Sequence, residues 1–444
     1  MAADAIALFQ ALLLEDIHSK IVDQLEFPDL LLEDVLNTEG TNKVGITVDA
    51  QNNKFQIASK TGRMTAYEGA TSASLINSSI SSERMYVVPY ETTASFLVEH
   101  NAIALASKNR ATLEPLVMWY STDVRKAINR ARGRHLRGDG TGIVGVLPVG
   151  AQSSATITIS AQAAGTVASA NRYGLGALKM FAPGDKLEFG TETAFGAGTQ
   201  VTGTVLTVNS DTSITLTGSV SIGNASSTNN RTGSNAGTWY VRFSGTNVLG
   251  TNYTPMGLLG LVDDGTCSPA ITTIQSLTRS TTPYMKSVTT VKPNAATLIE
   301  DMTNLYNTVT TFSPKVKVWV LSTDLILKYS NSITVMYNAM VNPGQGAKMS
   351  YESKIGVGHA GLEFAFLGSP IPVVQDKFLP YGTALLLDTD ELFMAEVEPI
   401  SFLPGHVMLT GLGSKNYETA MVSNYNFGTF GSRRLGGRLH YETV

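Results

Sequence analysis

Charged side chains are scarce in this sequence. Asp, Glu, Lys and Arg make up 15% of its 444 residues, against about a quarter in ordinary globular domains. Glycine (41 residues), serine, threonine and asparagine take their place, while apolar residues stay at 43%. Because that apolar fraction is enough for a large core, the composition excludes a mostly disordered chain and favours a strand-rich fold whose surface is covered by partners.

Cysteine is almost missing, and so are long apolar runs. A single cysteine, Cys267, excludes an intramolecular disulfide and a cysteine-rich zinc site. No window reaches the roughly 18 consecutive apolar residues of a membrane span, and the N-terminus lacks the basic stretch of a secretory signal. We therefore expect cytosolic synthesis and no membrane partner.

An excess of either charge sign is also lacking, since 32 basic residues face 36 acidic ones and the net charge is −4. This balance excludes a protein that condenses nucleic acid by bulk charge.

The motifs of common enzyme classes are missing as well. Gly140-Thr-Gly-Ile-Val-Gly145 matches G-x-G-x-x-G, but it follows a helix and opens none, which excludes a dinucleotide site. There is no phosphate loop, no G-x-S-x-G elbow and no H-E-x-x-H motif. We therefore predict that the chain is not an enzyme and has no catalytic, cofactor-binding or metal-ligating residues.

The remaining polar candidates are interpreted structurally. The six histidines show no metal-ligand spacing: His18, His100, His135, His359, His406 and His440. Asp388-Thr-Asp390-Glu391 is typical of a hairpin turn. Asp263-Asp264-Gly is also typical of a turn, and whether Asp263 and Asp264 additionally bind a cation stays open.

Two segments at the N-terminus lack a core of their own. Residues 1–43 carry nine acidic and two basic side chains, and apolar residues every three or four positions predict a helix that ends before Pro28. This helix either docks on its own domain or lies on a neighbouring subunit. Residues 44–84 begin with two alternating runs around Gln-Asn-Asn, which predict a β-hairpin that needs a supporting surface.

Residues 85–149 begin with a strand and continue into the longest predicted helix, at about 112–136, with Pro115 in its first turn. The C-terminal half of this helix is basic, through Arg125, Lys126, Arg130, Arg132, Arg134 and Arg137. We interpret these charges first as a solvated face or as a complement to the helix dipole. Contact with packaged nucleic acid is the second interpretation.

Residues 150–254 differ in composition from both neighbours and consist mainly of Ala, Gly, Ser and Thr. Alternating runs separated by turn signals predict a small all-β domain. The similar runs that flank it, Ile143-Val-Gly-Val-Leu and Met256-Gly-Leu-Leu-Gly, indicate an insertion between neighbouring elements of one parent domain.

Residues 255–444 show a mixed pattern without a βαβ repeat, so the fold class is α+β. Helices are predicted at 295–308 and within 323–337, and strands at 315–321 and 370–376. The segment 383–395 is predicted to form a hairpin with an Asp-Thr-Asp turn.

This order of elements resembles the major capsid proteins of tailed phages, which have the Hong Kong 97-type fold. Four strings are similar to that family: Arg137-Gly-Asp-Gly-Thr-Gly, Met256-Gly-Leu-Leu-Gly, Gly368-Ser-Pro-Ile-Pro-Val-Val-Gln-Asp and Leu379-Pro-Tyr-Gly. The resemblance implies five parts, listed in chain order: an N-terminal arm (1–43), an extended β-hairpin loop (44–84), a peripheral domain with the spine helix (85–149), an inserted β domain (150–254), and the rest of the peripheral domain with the axial domain (255–444).

The resemblance also implies a function. The chain would self-assemble into pentamers and hexamers of an icosahedral head around double-stranded DNA, which would touch the inner surface. Its partners would be further copies of itself, a separate scaffolding protein, a portal and a cement or decoration protein. It would be assembled in the host cytoplasm and located in the virion. The alternatives are an encapsulin-like protein compartment and a β-rich phage tail or bacterial surface protein.

Overall fold

The structure is a computed structural model of the chain. It describes residues 47–48, 53–58, 82–99, 110–147, 150–159, 181–191, 200–210, 213–225, 239–248, 251–252, 254–266, 271–312, 315–340, 362–366, 369–402, 408–409 and 416–443. The helix predicted within 1–43 lies outside the described residues. So do Cys267 and four of the histidines: His18, His100, His359 and His406.

Four strands and a long helix form the N-terminal part. They are β1 (Thr47–Val48), β2 (Asn53–Ala58), β3 (Ser82–Val87), β4 (Tyr90–Glu99) and α1 (Arg110–Leu136). Strands β1 and β2 pair antiparallel, with Thr47 opposite Lys54, and β3 pairs with the other edge of β2. The two strands predicted around Gln-Asn-Asn are therefore partners, and a third strand extends the ribbon.

Helix α1 begins earlier than the sequence pattern predicts. Because its first residue is Arg110, Pro115 lies beyond the first turn, and the prediction that places Pro115 in that turn is wrong. Proline has no N–H group, so the helix lacks the bond to the carbonyl of Ala111, four residues earlier. The helix nonetheless continues unbroken to Leu136, where the Gly138–Gly142 region ends it.

The inserted unit is an antiparallel β-sheet with a core of its own. Its strands are β5 (Ile143–Val146), β6 (Gly150–Thr158), β7 (Lys186–Gly190), β8 (Val201–Ser210), β9 (Ser213–Ala225) and β10 (Tyr240–Phe243), in the spatial order β5-β10-β7-β8-β9-β6. A small hairpin, β11 (Asn247–Val248) with β12 (Thr251–Asn252), follows. The core residues include Ile157, Leu187, Phe189, Ile214 and Val241, all fully buried.

Strand β5 and Leu147 lie before residue 150, where the sequence pattern places the start of the insert, and both belong to its sheet or core. Strand β5 pairs with β10, with Val146 opposite Tyr240, and Leu147 belongs to the core of the insert. The run after the insert differs, because it forms α2 (Leu258–Leu261) in the core of the parent domain. The two flanking runs are therefore not neighbouring elements of one domain. A short alternating run shows that a strand exists but not which sheet it joins.

The boundary can be tested with two fragments of the insert. Residues 142–254 include β5 and Leu147, whereas residues 150–254 lack both and leave β10 without one of its two partner strands. We expect the longer fragment to give a β-type circular dichroism spectrum and a cooperative melt. The shorter fragment should melt at lower temperature, since an exposed apolar strand edge and a core gap both destabilise a sheet. Equal melting temperatures would contradict the new boundary.

Among the described residues, the C-terminal part contributes to two larger sheets and forms one small hairpin. Its elements are α2, β13 (Thr273–Ile274), β14 (Leu277–Thr278), β15 (Val288–Asn294), α3 (Leu298–Thr310), β16 (Val318–Ser322), α4 (Thr323–Met340), β17 (Leu362–Phe366), β18 (Ser369–Asp376), β19 (Thr383–Leu387), β20 (Leu392–Phe402), β21 (Met408–Leu409), β22 (Asn416–Thr429), α5 (Ser432–Leu435) and β23 (Gly436–Thr443). Among the described residues, no helix is both long and apolar enough to span a membrane.

One sheet is mixed and carries two helices. Its order is β15-β23-β19-β16-β18-β17, with β15/β23 and β16/β18 parallel and the other pairs antiparallel. Apolar residues of α3 and α4, such as Met302, Leu305 and Leu325, pack with Trp319 and Leu321 of β16. This arrangement is α+β, as the sequence predicts.

The other sheet is antiparallel and contains strands from both the N-terminal part and the C-terminal part. Strand β22 pairs with β20 on one side and, from Asn416 to Tyr425, with β4 on the other. Helix α1 contacts β4 and β22. A central core connects this sheet, the end of α1 at Leu136, helix α2 and the mixed sheet.

The predicted hairpin at 383–395 is wrong. Strand β19 lies between β16 and β23 in the mixed sheet, whereas β20 pairs with β22 in the other sheet. The segment between them is a short 3₁₀ turn, in which the Asp388 carboxylate accepts a hydrogen bond from the N–H of Asp390. All five residues of β19 are buried. A strand that is buried on both faces needs a central position in its sheet, and β19 has that position between β16 and β23.

Candidate functional site at the end of the long helix

The basic end of α1 meets every major part of the described fold. We call this region the helix-end junction and define it by Arg132, Arg134, His135, Arg137 and Asp376. The sequence interpretation of a solvated basic face is wrong for its three arginines, because each forms an ion pair within the chain. Arg130, on the same helix, has an exposed side chain.

Arg137 ties the end of α1 to the mixed sheet. Its Nε donates to Asp376 Oδ2 at 2.6 Å, and both side chains are only 4% exposed. Its Nη1 also donates to the carbonyl of Gly133 at 2.9 Å, and the guanidinium lies over the ring of Phe378. Asp376 in turn accepts from the N–H of Phe378. Arginine suits this position because its planar group serves several acceptors at once.

Arg132 ties the helix to the antiparallel sheet. Its Nη2 donates to Glu396 of β20 and to Ser423 of β22, and the guanidinium lies over the ring of Tyr425. One turn further along, the Nδ1 atom of His135 is 2.7 Å from the Tyr425 hydroxyl. The helix is thus held on the sheet by polar bonds as well as by apolar packing.

Burial shifts the ionisation of this pair. Burial, and to a smaller extent the positive charge of Arg134, lowers the pKa of His135 to about 3. Burial also raises the pKa of Tyr425 far above its ordinary value. At neutral pH both side chains are therefore uncharged and can share a hydrogen bond.

The lowered pKa of His135 predicts acid sensitivity. Because the folded chain holds His135 neutral while the unfolded chain protonates it below about pH 6.5, stability is full above that pH and falls as pH decreases toward 3. Between pH 7 and pH 5 this residue should account for a loss of about 2 kcal/mol. Urea unfolding of the wild type and His135→Gln at both pH values measures the difference. An equal loss in both proteins would contradict the assignment.

Arg134 contacts the insert. Its Nη1 is 3.3 Å from Asp185 Oδ2, in the turn before β7, and its guanidinium lies 4.1 Å from the centre of the Phe243 ring at the end of β10. Burial lowers the pKa of Arg134, while Asp185 acts in the opposite direction. Desolvation of this kind strengthens both the ionic and the cation–π contact.

Close backbone packing completes the junction. The N–H of Leu259 donates to the carbonyl of Gly138 at 3.1 Å. A Cβ atom on Gly257 would lie 2.0 Å from the carbonyl oxygen of His135, and one on Gly260 would lie 2.7 Å from that of Asp139. The glycines of the Met256-Gly-Leu-Leu-Gly string are therefore needed because helix α2 touches the end of α1 backbone to backbone.

Asp263 lies in a buried cluster beside this junction. Its carboxylate is 3.0 Å from Arg279 and 3.5 Å from Arg438, and all three residues are at most 1% exposed. Arg279 also donates to the carbonyls of Met285, Ile271 and Gly260. Two guanidinium groups already neutralise the carboxylate, so the electrostatics oppose a cation at Asp263. The neighbouring Asp264 accepts from Thr266 in a tight turn.

The other sequence candidates serve local structure. His440 is buried with its Nδ1 atom 3.3 Å from Thr383 Oγ1. Gly140 and Gly142 have φ values of +82° and +75°, which explains glycine in this string by backbone conformation. Within the part of the chain that the structure describes, no three His, Cys, Asp or Glu side chains form a group that could hold a metal ion.

Sequence reasoning missed the partners that the junction arginines use. Asp376, Glu396 and Asp185 are separated from the helix by tens to hundreds of residues, and nothing in their local sequence marks them. The same is true of Arg279 and Arg438. The one available signal was the low overall charge, because scarce charges in a large core are expected to be paired.

Comparisons with known proteins concern the fold. No family model matches the chain, and no curated protein matches it. Among solved structures, the chain is similar to the capsid asymmetric unit of cyanophage A-1(L), with 12% identity, a TM-score of 0.49, and coverage of 95% of this chain and 96% of that one. It is also similar to the capsid of the native GTA particle (9% identity, TM-score 0.40, 92% and 90% covered).

A third solved structure, from Mycobacterium phage Bobi, has 10% identity and a TM-score of 0.39, with 96% of this chain and 97% of that chain covered. The solved structures similar to this chain thus include tailed-phage capsid proteins that match most of its length.

Proposed function

We propose that this chain is the major capsid protein of a tailed phage, with the Hong Kong 97-type fold. It self-assembles into pentamers and hexamers of an icosahedral head that encloses double-stranded DNA. One observation carries the proposal: the sequence strings that resemble the family come from three distant regions of the chain, 137–142, 256–260 and 368–382, and come together at the helix-end junction.

The contacts between these strings are specific. Arg137, which opens the first string, pairs with Asp376, which ends the third. The carbonyl of Gly138, also in the first string, accepts from Leu259 in the second. Leu379, which opens the fourth, shares a core with Leu136 and Leu258. Unrelated matches of short strings have no reason to meet in space, so their contact supports one inherited architecture.

The chemistry of the junction supports a structural role. Its three arginines pair with Glu396, Asp185 and Asp376, and these pairs connect a helix, two sheets and the insert. Such pairs fix the geometry of the fold and present no reacting group to solvent. We therefore propose a shell subunit without enzymatic activity.

The proposal includes partners beyond the chain. Residues 1–43 and the 44–84 ribbon would lie on other subunits, since their sequences offer little core. A separate scaffolding protein, a portal and a decoration protein would act during or after assembly in the host cytoplasm, and the chain would end in the virion.

Expression of the chain, alone and together with a candidate scaffolding protein, tests the proposal. We expect particles that sediment far faster than a monomer and appear as closed shells in negative stain. Tubes would favour a tail protein, and small discrete oligomers would contradict a shell. Closed shells that package cargo protein instead of DNA during infection would favour a protein compartment.

A further inference from the structure

The insert has the properties of a body that moves as one piece. Its apolar core is separate from the two cores of the parent domain, and its strands contact chiefly one another. Bending this unit would expose fully buried residues such as Leu187 and Phe189. Motion relative to the parent domain would therefore occur at the connections and not inside the sheet.

The two connections lie side by side and have hinge-like sequences. The outgoing chain passes through Gly140 and Gly142, both with positive φ, and the returning chain passes through Thr254. The Thr254 hydroxyl donates to the carbonyl of Gly140 at 2.7 Å. The outgoing and returning connections are neighbours, and the outgoing one contains two glycines. Two such connections define an axis about which a rigid unit can rotate.

Arg134 contacts the insert at a place that is distinct from the two connections. It projects from the rigid helix α1, and it touches two different parts of the insert: Asp185 in the turn before β7 and Phe243 at the end of β10. Asp185 is itself fixed, because its Oδ2 accepts from the N–H of Ala182 at 2.8 Å. The contact therefore joins two rigid bodies at a point distinct from the hinge.

We propose that Arg134 is a latch that sets the orientation of the insert on the parent domain, with Gly140–Gly142 and Thr254 as the hinge. The other junction arginines do not share this role, since Arg132 and Arg137 contact the parent domain. The latch is reversible, because a single ion pair with a stacked ring, its side chains 17% and 23% exposed, can open without unfolding either body. The inference does not depend on the proposed capsid role.

Distance measurements on the unassembled chain test the latch. In a background with Cys267→Ala, spin labels are placed at Ser219→Cys on β9 and Glu300→Cys on α3, both exposed positions. With Arg134 present we expect one narrow distance distribution. Arg134→Ala should broaden it and shift its mean, and hydrogen exchange of the 138–147 amides should accelerate about tenfold.

Two further variants separate a latch from a general folding defect. Asp185→Asn keeps an oxygen that accepts from Ala182 but removes the charge, so it should broaden the distribution while the circular dichroism spectrum stays unchanged. Arg130→Ala, on the exposed side of the same helix, should leave the distribution narrow. A narrow, unshifted distribution in both Arg134→Ala and Asp185→Asn would overturn the proposal. The same result in a folded Asp185→Asn would overturn it even if Arg134→Ala failed to fold.

Discussion

Replacement of Arg137 by alanine is expected to lower the free energy of unfolding by about 3–5 kcal/mol. The change leaves the Asp376 carboxylate buried, at 4% exposure, without its cation. It also removes a donor from the Gly133 carbonyl and the guanidinium from the face of Phe378. A buried charge that loses its partner costs far more than a surface ion pair contributes, because water cannot solvate it.

Urea unfolding, followed by circular dichroism and tryptophan fluorescence, measures this loss. Arg130→Ala on the same helix is the matched control and should change the unfolding free energy by less than about 0.5 kcal/mol. A double variant, Arg137→Met with Asp376→Leu, should recover part of the loss, because it removes both charges. If Arg137→Ala were as mild as Arg130→Ala, the Arg137–Asp376 pair would not hold the end of α1 on the mixed sheet.

Asp263→Asn should be comparably severe, with a loss of about 3–5 kcal/mol. Asparagine has almost the same shape, so the effect isolates the charge. Without the carboxylate, Arg279 and Arg438 remain as two buried guanidinium groups at most 1% exposed. Their mutual repulsion in a poorly hydrated core is no longer compensated.

Asp264→Asn is the matched control for this variant, since Asp264 is adjacent in sequence and accepts only within its own turn. We expect a change below about 0.5 kcal/mol. Calcium, magnesium and a chelator should all leave the melting temperature of the wild type unchanged. A rise in melting temperature with a divalent cation, abolished by Asp263→Asn, would show that Asp263 is a cation ligand after all.

The local parts of this fold could be predicted from the sequence. The alternating runs around Gln-Asn-Asn form paired strands, and the three-to-four periodicity before Gly138 forms the long helix, because both patterns describe neighbouring residues. The helix at 295–308 is found at Leu298–Thr310, a shift of the kind expected at helix ends.

The pairing of strands could not be predicted in the same way. The segment 383–395 contains two real strands, but β19 and β20 join different sheets. The choice depends on β16 and β23, which are distant in the sequence. For the same reason, the sequence pattern assigned Ile143–Val146 to the parent domain. In the structure this strand pairs with β10, almost a hundred residues later in the chain, and so belongs to the sheet of the insert.

The partners of charged residues were the least predictable feature. The basic half of α1 has the pattern of a solvated face, and the sequence holds nothing that distinguishes Arg130 from Arg132 or Arg134. Only the folded chain brings Glu396, Asp185 and Asp376 to the helix. Asp263 was interpreted as a turn residue because it lies in an Asp-Asp-Gly sequence. Nothing in that local sequence indicates that it is the counter-ion of two buried arginines, Arg279 and Arg438.

A cryo-electron microscopy reconstruction of the particles formed by the purified chain distinguishes a capsid shell from the other assemblies. We expect a closed icosahedral shell of pentamers and hexamers, in which every subunit has α1 anchored by Arg137 to Asp376. An open tube, a small ring or a discrete oligomer would contradict the shell proposal. A shell whose subunits separate Arg137 from Asp376 would contradict the junction on which that proposal rests.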